Sequence, residues 1–220
     1  MKLTIPDLYD LDHTLAGDYL RQFTYPWEAL AGIGDMISAL GAAFRPDEYD
    51  HPEEGVWVAR DAKVYPTAYL GAPCIIGHKT EVRPGAFIRG NALVGDNCVV
   101  GNSTELKNVI LFDNVQVPHY NYVGDSILGY KSHMGAGSIT SNVKSDKLPV
   151  VIHNEGEEIE TGRKKVGAML GDYVEVGCNS VLNPGTVIGR DASVYPTSCV
   201  RGVVPERCIY KAKGNIAVKK

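Results

Sequence analysis

One aliphatic residue returns at every sixth position in the middle of the chain. Nine such residues follow without a slip: Val58, Val64, Leu70, Ile76, Val82, Ile88, Val94, Val100 and Leu106. A second series, four residues later in each hexad, is almost entirely small: Ala62, Ala68, Cys74, Thr80, Ala86, Ala92, Cys98 and Thr104. A period of six matches neither an α-helix nor a plain strand. It indicates an internal repeat of short strands and corners.

Three hexads make one triangular coil, so residues three hexads apart should stack on the same face. One hexad is shortened at residues 106–110, and the repeat resumes at Leu111 and stops after Asn142. It returns at Val166 and continues to about residue 205. The pattern therefore predicts a β-solenoid domain over residues 51–205, with parallel strands that pack only on neighbouring coils.

Three segments depart from the repeat. Apolar residues at three- and four-residue steps predict short amphipathic helices within residues 1–50, which we interpret as a cap or linker. Residues 144–165 are charged and form a predicted insertion loop, which at this length is more often functional than idle. Residues 206–220 are a basic C-terminal tail. Because the ends of a solenoid need covering, both terminal segments are candidates for that role.

Composition narrows the function classes. The formal net charge is −4 with 44% hydrophobic residues, which gives no basic field for nucleic acid and no basic cluster for a membrane surface. No apolar run approaches the roughly 20 residues that span a bilayer. The N-terminus lacks the apolar core of a signal peptide, so we expect a cytoplasmic protein. Five cysteines without a CxxC pair are expected to be reduced thiols.

The text VPHYNYVGDSILG, followed by MGAGSITSNV, resembles the acetyltransferase half of the bifunctional N-acetylglucosamine-1-phosphate uridyltransferases. The run TGRKKVGAMLGDYVEVGCNSVLNPG is similar to archaeal sugar-phosphate versions, and the likeness covers roughly residues 58–213. It implies an all-β, left-handed parallel β-helix with a short helical N-terminal segment. It also implies acetyl-CoA as co-substrate, no metal, and a homotrimer with sites between subunits. The family's nucleotidyl-transfer half is not matched, so acetyl transfer alone is expected.

The same resemblance suggests the reacting residues. His119 lies where the family has its general base, and an imidazole can take the proton of an attacking amine. Tyr122 and Asn142 match sugar-contacting positions, and both offer polar groups that bind hydroxyls. The other histidines, including His78 and His133, are expected to have no catalytic role.

A lysine and an arginine should bind the sugar phosphate. Lys107 matches the family's lysine. Arg83 has the family-like text RPGA, whereas Arg89 is one full coil before Lys107 and should stack beside it. We therefore prefer Arg89, with Arg83 as the alternative on a different face.

Four positions match the family's cofactor contacts. Ala136 in GAG would let the thioester approach backbone amides, which could hold the developing oxyanion. Cys178 and Pro196 are one coil apart and should stack beside the pantetheine arm, and Lys213 aligns with an arginine that meets the cofactor phosphates. Cys178 stands where the family often has serine, and no paired base suggests a covalent nucleophile. Basic residues of the insertion could close over the site: Lys144, Lys147, Arg163, Lys164 and Lys165.

The leading hypothesis is an acetyl-CoA-dependent N-acetyltransferase acting on an amino-sugar 1-phosphate, with glucosamine-1-phosphate as the first candidate. Another sugar acceptor remains open, as does a non-catalytic sugar-phosphate-binding or scaffold subunit that partners a nucleotidyltransferase. A zinc enzyme built on the same coil is disfavoured, because His119 and His133 lack the close histidine pair of that family.

Overall fold

The computed structural model describes residues 1–219. Its strands stack in parallel on three faces of a triangular prism, and the chain visits the first, second and third face in turn before it starts the next coil. The fold class predicted from the sequence is confirmed.

The three faces are assembled from very short strands. The first face contains Lys63–Val64, Glu81–Val82, Val99–Asn102, Gln116–His119, His133–Met134, Glu175–Val176, Ser193–Val194 and Cys208–Ala212. The second contains Tyr69–Leu70, Phe87–Ile88, Ile139–Thr140, Val181–Leu182 and Cys199–Val200. The third contains Val56–Ala59, Cys74–Ile76, Ala92–Val94, Ala168–Leu170, Thr186–Ile188 and Val203–Val204. Two longer strands, Glu105–Leu111 and Tyr122–Leu128, cross the corner between the second and third faces.

The aliphatic residues of the repeat fill the interior of the prism. From the second full coil onward they are buried on all three faces, as Val82, Ile88 and Val94 illustrate. From Cys74 onward the small series is buried as well, and Thr80 satisfies its hydroxyl by donating to the Gly95 carbonyl (2.7 Å). Burial also raises the pKa of the Cys74 thiol to about 12, so that thiol stays protonated.

The third face carries a second apolar stripe, which points outward. Its members are fully buried: Ile75, Leu93, Ile110, Ile127, Met169 and Val187. The N-terminal segment covers them with three α-helices, Ile5–Leu8, Gly17–Leu20 and Ile33–Ala42, and two 3₁₀ helices, Leu11–His13 and Pro26–Ala31. These elements bury Trp27, Leu30 and Ile37 against the solenoid.

The N-terminal segment runs along the side of the prism, opposite to the direction in which the coils grow. Asp172 N–H donates to the Leu8 carbonyl (3.0 Å), Asp113 N–H to the His13 carbonyl (3.0 Å), and Asn108 Nδ2 to the Leu30 carbonyl (3.1 Å). The segment therefore covers a face, whereas the sequence suggested a cover for an end. The outward stripe on the third face is the physical reason.

The two other departures from the repeat are also folded. Residues 151–154 and 157–160 pair as an antiparallel hairpin, and Val150 and Ile152 are buried beside Gly185. The predicted tail begins with a strand that still belongs to the coil, because Tyr210 takes the inward position opposite Val194. Asn215–Val218 then folds back antiparallel on it. Val204 follows Val200 after four residues and the next inward residue is a tyrosine, so the six-residue periodicity did not predict this last coil.

None of the helices within residues 1–219 is long and apolar enough to cross a bilayer.

Candidate functional site

One corner of the prism, between the first and second faces, aligns four of the predicted residues. His119 ends a first-face strand, and Ala136, Cys178 and Pro196 occupy the same corner position in the three following coils. A ladder of backbone hydrogen bonds fixes this corner column: Gly137 N–H donates to His119 O (3.0 Å), Asn179 N–H to Ala136 O (2.8 Å) and Thr197 N–H to Cys178 O (2.8 Å). His119, Cys178 and Pro196 are exposed and Ala136 is half-buried, so the column is a continuous outer edge.

Asn121 holds the His119 end of the corner column. Its buried amide accepts from His119 N–H (3.1 Å) and donates to the carbonyls of Gly135 (2.9 Å) and Ser138 (3.1 Å). The same side chain therefore ties the backbone of His119 to the turn that contains Ala136. The His119 ring itself has no hydrogen-bond partner within residues 1–219, which leaves both of its nitrogens open to a ligand.

The second face begins directly after this corner with Tyr122. Its phenol oxygen accepts a hydrogen bond from Asn142 Nδ2 (3.2 Å), so the two predicted sugar-contacting residues lie together. Burial raises the pKa of the Tyr122 phenol, with the nearby Asp125 carboxylate acting in the same direction. The phenol is therefore a neutral donor at neutral pH.

A buried carboxylate lies behind these residues. Asp125 is 3% exposed, and its oxygens accept from Asn142 Nδ2 (2.5 Å) and Asn108 Nδ2 (3.0 Å), with Lys107 Nζ at 3.4 Å. We refer to Asp125, Lys107, Asn108 and Asn142 as the Asp125 cluster. Asn108 also donates to the Leu30 carbonyl, so the cluster contacts the N-terminal segment.

Sequence reasoning did not find Asp125. The available signal was an acidic residue in VGDSI, where the long strand Tyr122–Leu128 turns the corner with a positive φ of 48° at Asp125. Aspartate tolerates that conformation better than most residues, so a turn role alone would explain its presence in the sequence.

The two candidate arginines lie on different faces. Ile88 pairs with Leu106, and Arg89 N–H donates to the Leu106 carbonyl (2.8 Å), which places Arg89 one coil below Lys107. Arg89 Nη1 also pairs with Glu105 Oε1 (2.8 Å). Arg83 lies on the first face beside Glu81 (3.1 Å). Each cation that could bind a phosphate therefore has its own carboxylate partner.

The remaining predicted residues lie away from the Asp125 cluster or at its edge. Lys213 occupies the turn of the C-terminal hairpin, whose first strand pairs with the coil that carries Pro196. In the insertion, Lys144 lies two residues beyond Asn142 and forms an ion pair with Asp146 (3.2 Å). The backbone of Lys165 forms an antiparallel β-bridge with Val143. Within residues 1–219, Lys147 and Lys164 form no ion pair with an acidic side chain. Arg163 Nε is buried there without a hydrogen-bond partner.

Metal ligands are not clustered anywhere in the described part of the chain: residues 1–219 contain no group of three or more His, Cys, Asp or Glu side chains arranged to hold an ion.

Comparison with known proteins identifies the family. The family model of the GMPPB C-terminal domain matches residues 70–188, which is more than half of the 220 residues. The chain is 32% identical over 145 residues to a bifunctional sugar-1-phosphate nucleotidylyltransferase/acetyltransferase of Sulfurisphaera tokodaii, covering 66% of this chain and 36% of that protein. It is 33% identical over 139 residues to the bifunctional protein GlmU of Methanococcus maripaludis, covering 62% of this chain and 33% of that protein.

The chain thus spans about a third of the length of these relatives. Among solved structures, the acetyltransferase domain of PglB from Neisseria gonorrhoeae, in complex with acetyl coenzyme A, aligns at a TM-score of 0.35 and 15% identity, covering 74% of this chain and 56% of that one. On the family match, the chain belongs to the family of the GMPPB C-terminal domain.

Proposed function

We propose that the protein is an acetyl-CoA-dependent N-acetyltransferase whose acceptor is an amino-sugar 1-phosphate, with glucosamine-1-phosphate as the first candidate. One observation carries the proposal: the corner column aligns the candidate base, His119, with Ala136, Cys178 and Pro196, and the polar residues of the second face begin three residues beyond that base. The name of the Sulfurisphaera tokodaii relative, which includes an acetyltransferase activity, supports the same reaction class.

His119 would act as the general base. A neutral imidazole accepts a proton from the acceptor amine as its nitrogen attacks the thioester carbonyl carbon. The C–N bond forms, the C–S bond breaks, and coenzyme A leaves as a thiol that takes a proton back through the imidazolium. The open ring nitrogens and the backbone anchor through Asn121 suit this role, because the ring stays available while its Cα is fixed.

Ala136 is the candidate oxyanion donor. In the turn beside it, Gly135 N–H donates to Val176 O (2.7 Å) and Gly137 N–H donates to His119 O (3.0 Å). Within residues 1–219 the Ala136 N–H has no such partner, so it can donate to the developing oxygen charge. Of the three backbone amides in the Gly135–Gly137 turn, only that of Ala136 is therefore proposed as the oxyanion donor.

Arg89 and Lys107 are the proposed phosphate ligands, and Tyr122 and Asn142 the proposed sugar contacts. A phosphate would compete with Glu105 for Arg89 and with Asp125 for Lys107. Because Asp125 is buried and already accepts from two amides, it orients Lys107 and Asn142 together. Arg83, on the first face, is the less favoured alternative to Arg89.

Acetyl-CoA would lie along the corner column, with Lys213 near the cofactor phosphates. A homotrimer would complete the site, because an outer edge alone exposes both substrates to water. A cytoplasmic location fits the need for acetyl-CoA and the five free thiols.

The test is coenzyme A release from acetyl-CoA with glucosamine-1-phosphate, with the acetylated sugar identified by mass spectrometry. His119→Ala should lower kcat by about 10²- to 10⁴-fold, the usual contribution of a general base. His133→Ala is the matched control, since the His133 ring already pairs with Glu175 (2.8 Å) and lies outside the corner column. Full turnover by His119→Ala would overturn the base assignment. Acceptor binding without any transfer would support the non-catalytic subunit instead.

A further inference from the structure

Two exposed aromatic rings lie side by side on the second face. Tyr69 is 58% exposed and Phe87 is 42% exposed, and their ring centroids are 5.5 Å apart. We refer to them as the aromatic pair. Single exposed apolar residues are common on protein surfaces. The two ring planes are inclined by 53°, so a planar ligand can stack on the face of one ring while the other ring meets its edge.

The aromatic pair belongs to the same column as the proposed sugar contact. Tyr69 pairs with Phe87, Phe87 with Glu105, and Glu105 with Tyr122, one coil at a time. Phe87 and Arg89 are two residues apart on one chain segment, so both point outward on the same side. Going up the second face, Tyr69 therefore comes first, then Phe87 with Arg89 in the next coil. Lys107 follows beside Glu105, then Tyr122, and Asn142 lies one coil higher.

The spacing of these groups is too long for a sugar 1-phosphate alone. Three coil steps separate Tyr69 from Tyr122, about 14 Å at the usual distance between strands. A sugar 1-phosphate that meets Tyr122 ends at the cations, and the aromatic pair would remain unused. An acceptor that reaches the rings must continue beyond its first phosphate and must end in a flat ring.

We propose that the acceptor is an amino sugar carried on a nucleoside diphosphate. Its base stacks on the face of one ring of the aromatic pair, with the other ring at its edge, while the diphosphate meets Arg89 and Lys107. This rests on the proposed function, because it keeps the same amine and the same base and extends only the phosphate end. Stacking on aromatic side chains tolerates different bases, since each base has a π-face.

The experiment compares kcat/KM for glucosamine-1-phosphate, UDP-glucosamine and GDP-glucosamine at saturating acetyl-CoA. We expect at least a tenfold preference for a nucleotide-linked acceptor. Phe87→Ala and Tyr69→Ala should each reduce that preference about fivefold or more, the effect of losing one stacking ring, and leave glucosamine-1-phosphate unchanged. Phe87→Tyr should retain the preference. Tyr173→Ala, which removes an exposed ring at another corner, is the control.

Binding of UDP and GDP, measured by calorimetry beside inorganic phosphate, separates the two proposals. If no acceptor is acetylated while UDP or GDP binds and Phe87→Ala weakens it, the reaction is wrong and the nucleotide subsite stands. Equal kcat/KM for all three acceptors would overturn the subsite and leave the acetyl transfer. A drop in molecular mass of the Phe87→Ala assembly, with all acceptors affected alike, would also overturn the subsite, because the rings would then be a contact between copies.

Discussion

The second and third faces of the prism share one interior and differ in what they show outside. Inside, both faces carry aliphatic residues at the same position of the repeat. Outside, the third face presents Ile75, Leu93, Ile110, Ile127, Met169 and Val187, all fully buried beneath the N-terminal segment. At the matching level the second face presents Tyr69, Phe87, Glu105 and Tyr122, partly or largely exposed. The inward positions thus determine the fold, whereas the outward positions determine what each face binds.

Charge separates the two faces in the same way. The outward stripe of the third face contains no ionisable residue, and a peptide segment covers it. The second face carries Arg89 with Glu105 and Lys107 with Asp125, so its cations are held in place and remain half-exposed. An apolar face needs a permanent cover, while a face of paired charges can exchange one partner for a polar ligand.

The largest expected effect comes from placing a charge on the covered face. Leu93→Asp should lower the free energy of unfolding by about 4 kcal/mol or more, because a carboxylate would be buried without a partner. Phe87→Asp, one residue before the repeat position Ile88 on the second face, should cost about 0.5 kcal/mol or less, as is usual for exposed sites. Chemical denaturation of both variants measures the difference. Equal losses would mean that the N-terminal segment does not cover the third face in solution.

Blocking the corner column should have the next largest effect. Cys178→Phe adds a bulky ring between Ala136 and Pro196, so KM for acetyl-CoA should rise about tenfold, the equivalent of about 1.4 kcal/mol of lost contact. The KM for the sugar acceptor should stay the same. Cys178→Ser is the control and should keep full turnover, because no step requires a thiol. Loss of activity in the serine variant would instead support a covalent nucleophile.

Removing the buried carboxylate tests whether the second face depends on it. Asp125→Asn should raise KM for the acceptor about fivefold, since Lys107 and Asn142 lose the group that orients them, and leave KM for acetyl-CoA unchanged. Leaving these donors unmatched should also cost about 1–3 kcal/mol of stability. Combining Asp125→Asn with Lys107→Ala in a double-mutant cycle checks the mechanism. Fully additive effects on acceptor KM would show that Asp125 does not act through Lys107.

The smallest expected effect is a pH dependence of stability, which comes from Asp113 beside the N-terminal segment. Burial raises the pKa of Asp113, and the neighbouring Asp96 carboxylate acts in the same direction. The pKa of Asp113 is therefore higher in the folded protein than in the unfolded chain. Its contribution to stability is fully present at pH values below the ordinary carboxyl pKa. It is lost as pH rises through the raised value.

Asp113→Asn should remove this loss. The amide oxygen can still accept from Asp96 N–H (2.8 Å). The melting temperatures of variant and wild type should agree near pH 3 and diverge as the pH rises, with the variant more stable. Divergence in the opposite direction would contradict the raised pKa.

Much of the fold could be predicted from the sequence, because the inward positions of a solenoid repeat in the chain itself. The same count of residues predicts that Arg89 lies beside Lys107 and Cys178 beside Pro196, and the structure has both pairs in register. The cover on the third face was harder to predict. Its signal lies in the residue before each aliphatic position, such as Ile75 before Ile76, and is informative only once the direction of each side chain is known.

The candidate site was less predictable, since the roles of its supporting residues depend on hydrogen bonds between coils. Asp125 and Asn121 lie at corners, and their hydrogen bonds reach residues 14 to 18 positions away. Asn121 occupies a small inward position of the repeat, between Thr104 and Ser138, so its spacing alone does not distinguish it from a structural residue. The aromatic pair was missed for another reason: Tyr69 and Phe87 are ordinary strand residues until the faces are assigned.

The N-terminal segment changes how the molecule should fold as well as what it covers. Coils of a solenoid depend only on their neighbours, so such a chain could lose its coils one by one from either end. Here Asn154 Nδ2 donates to the Met1 carbonyl, Arg190 reaches the Pro6 carbonyl, and Asn108 reaches Leu30. Residues 1–6 are synthesised before Asn154 and Arg190, so they can form these contacts only after the later coils have been made. These contacts join the N-terminal segment to coils along the whole solenoid, so unfolding should be cooperative. Because the contacts are distant in sequence, folding should be slower than for the repeat alone.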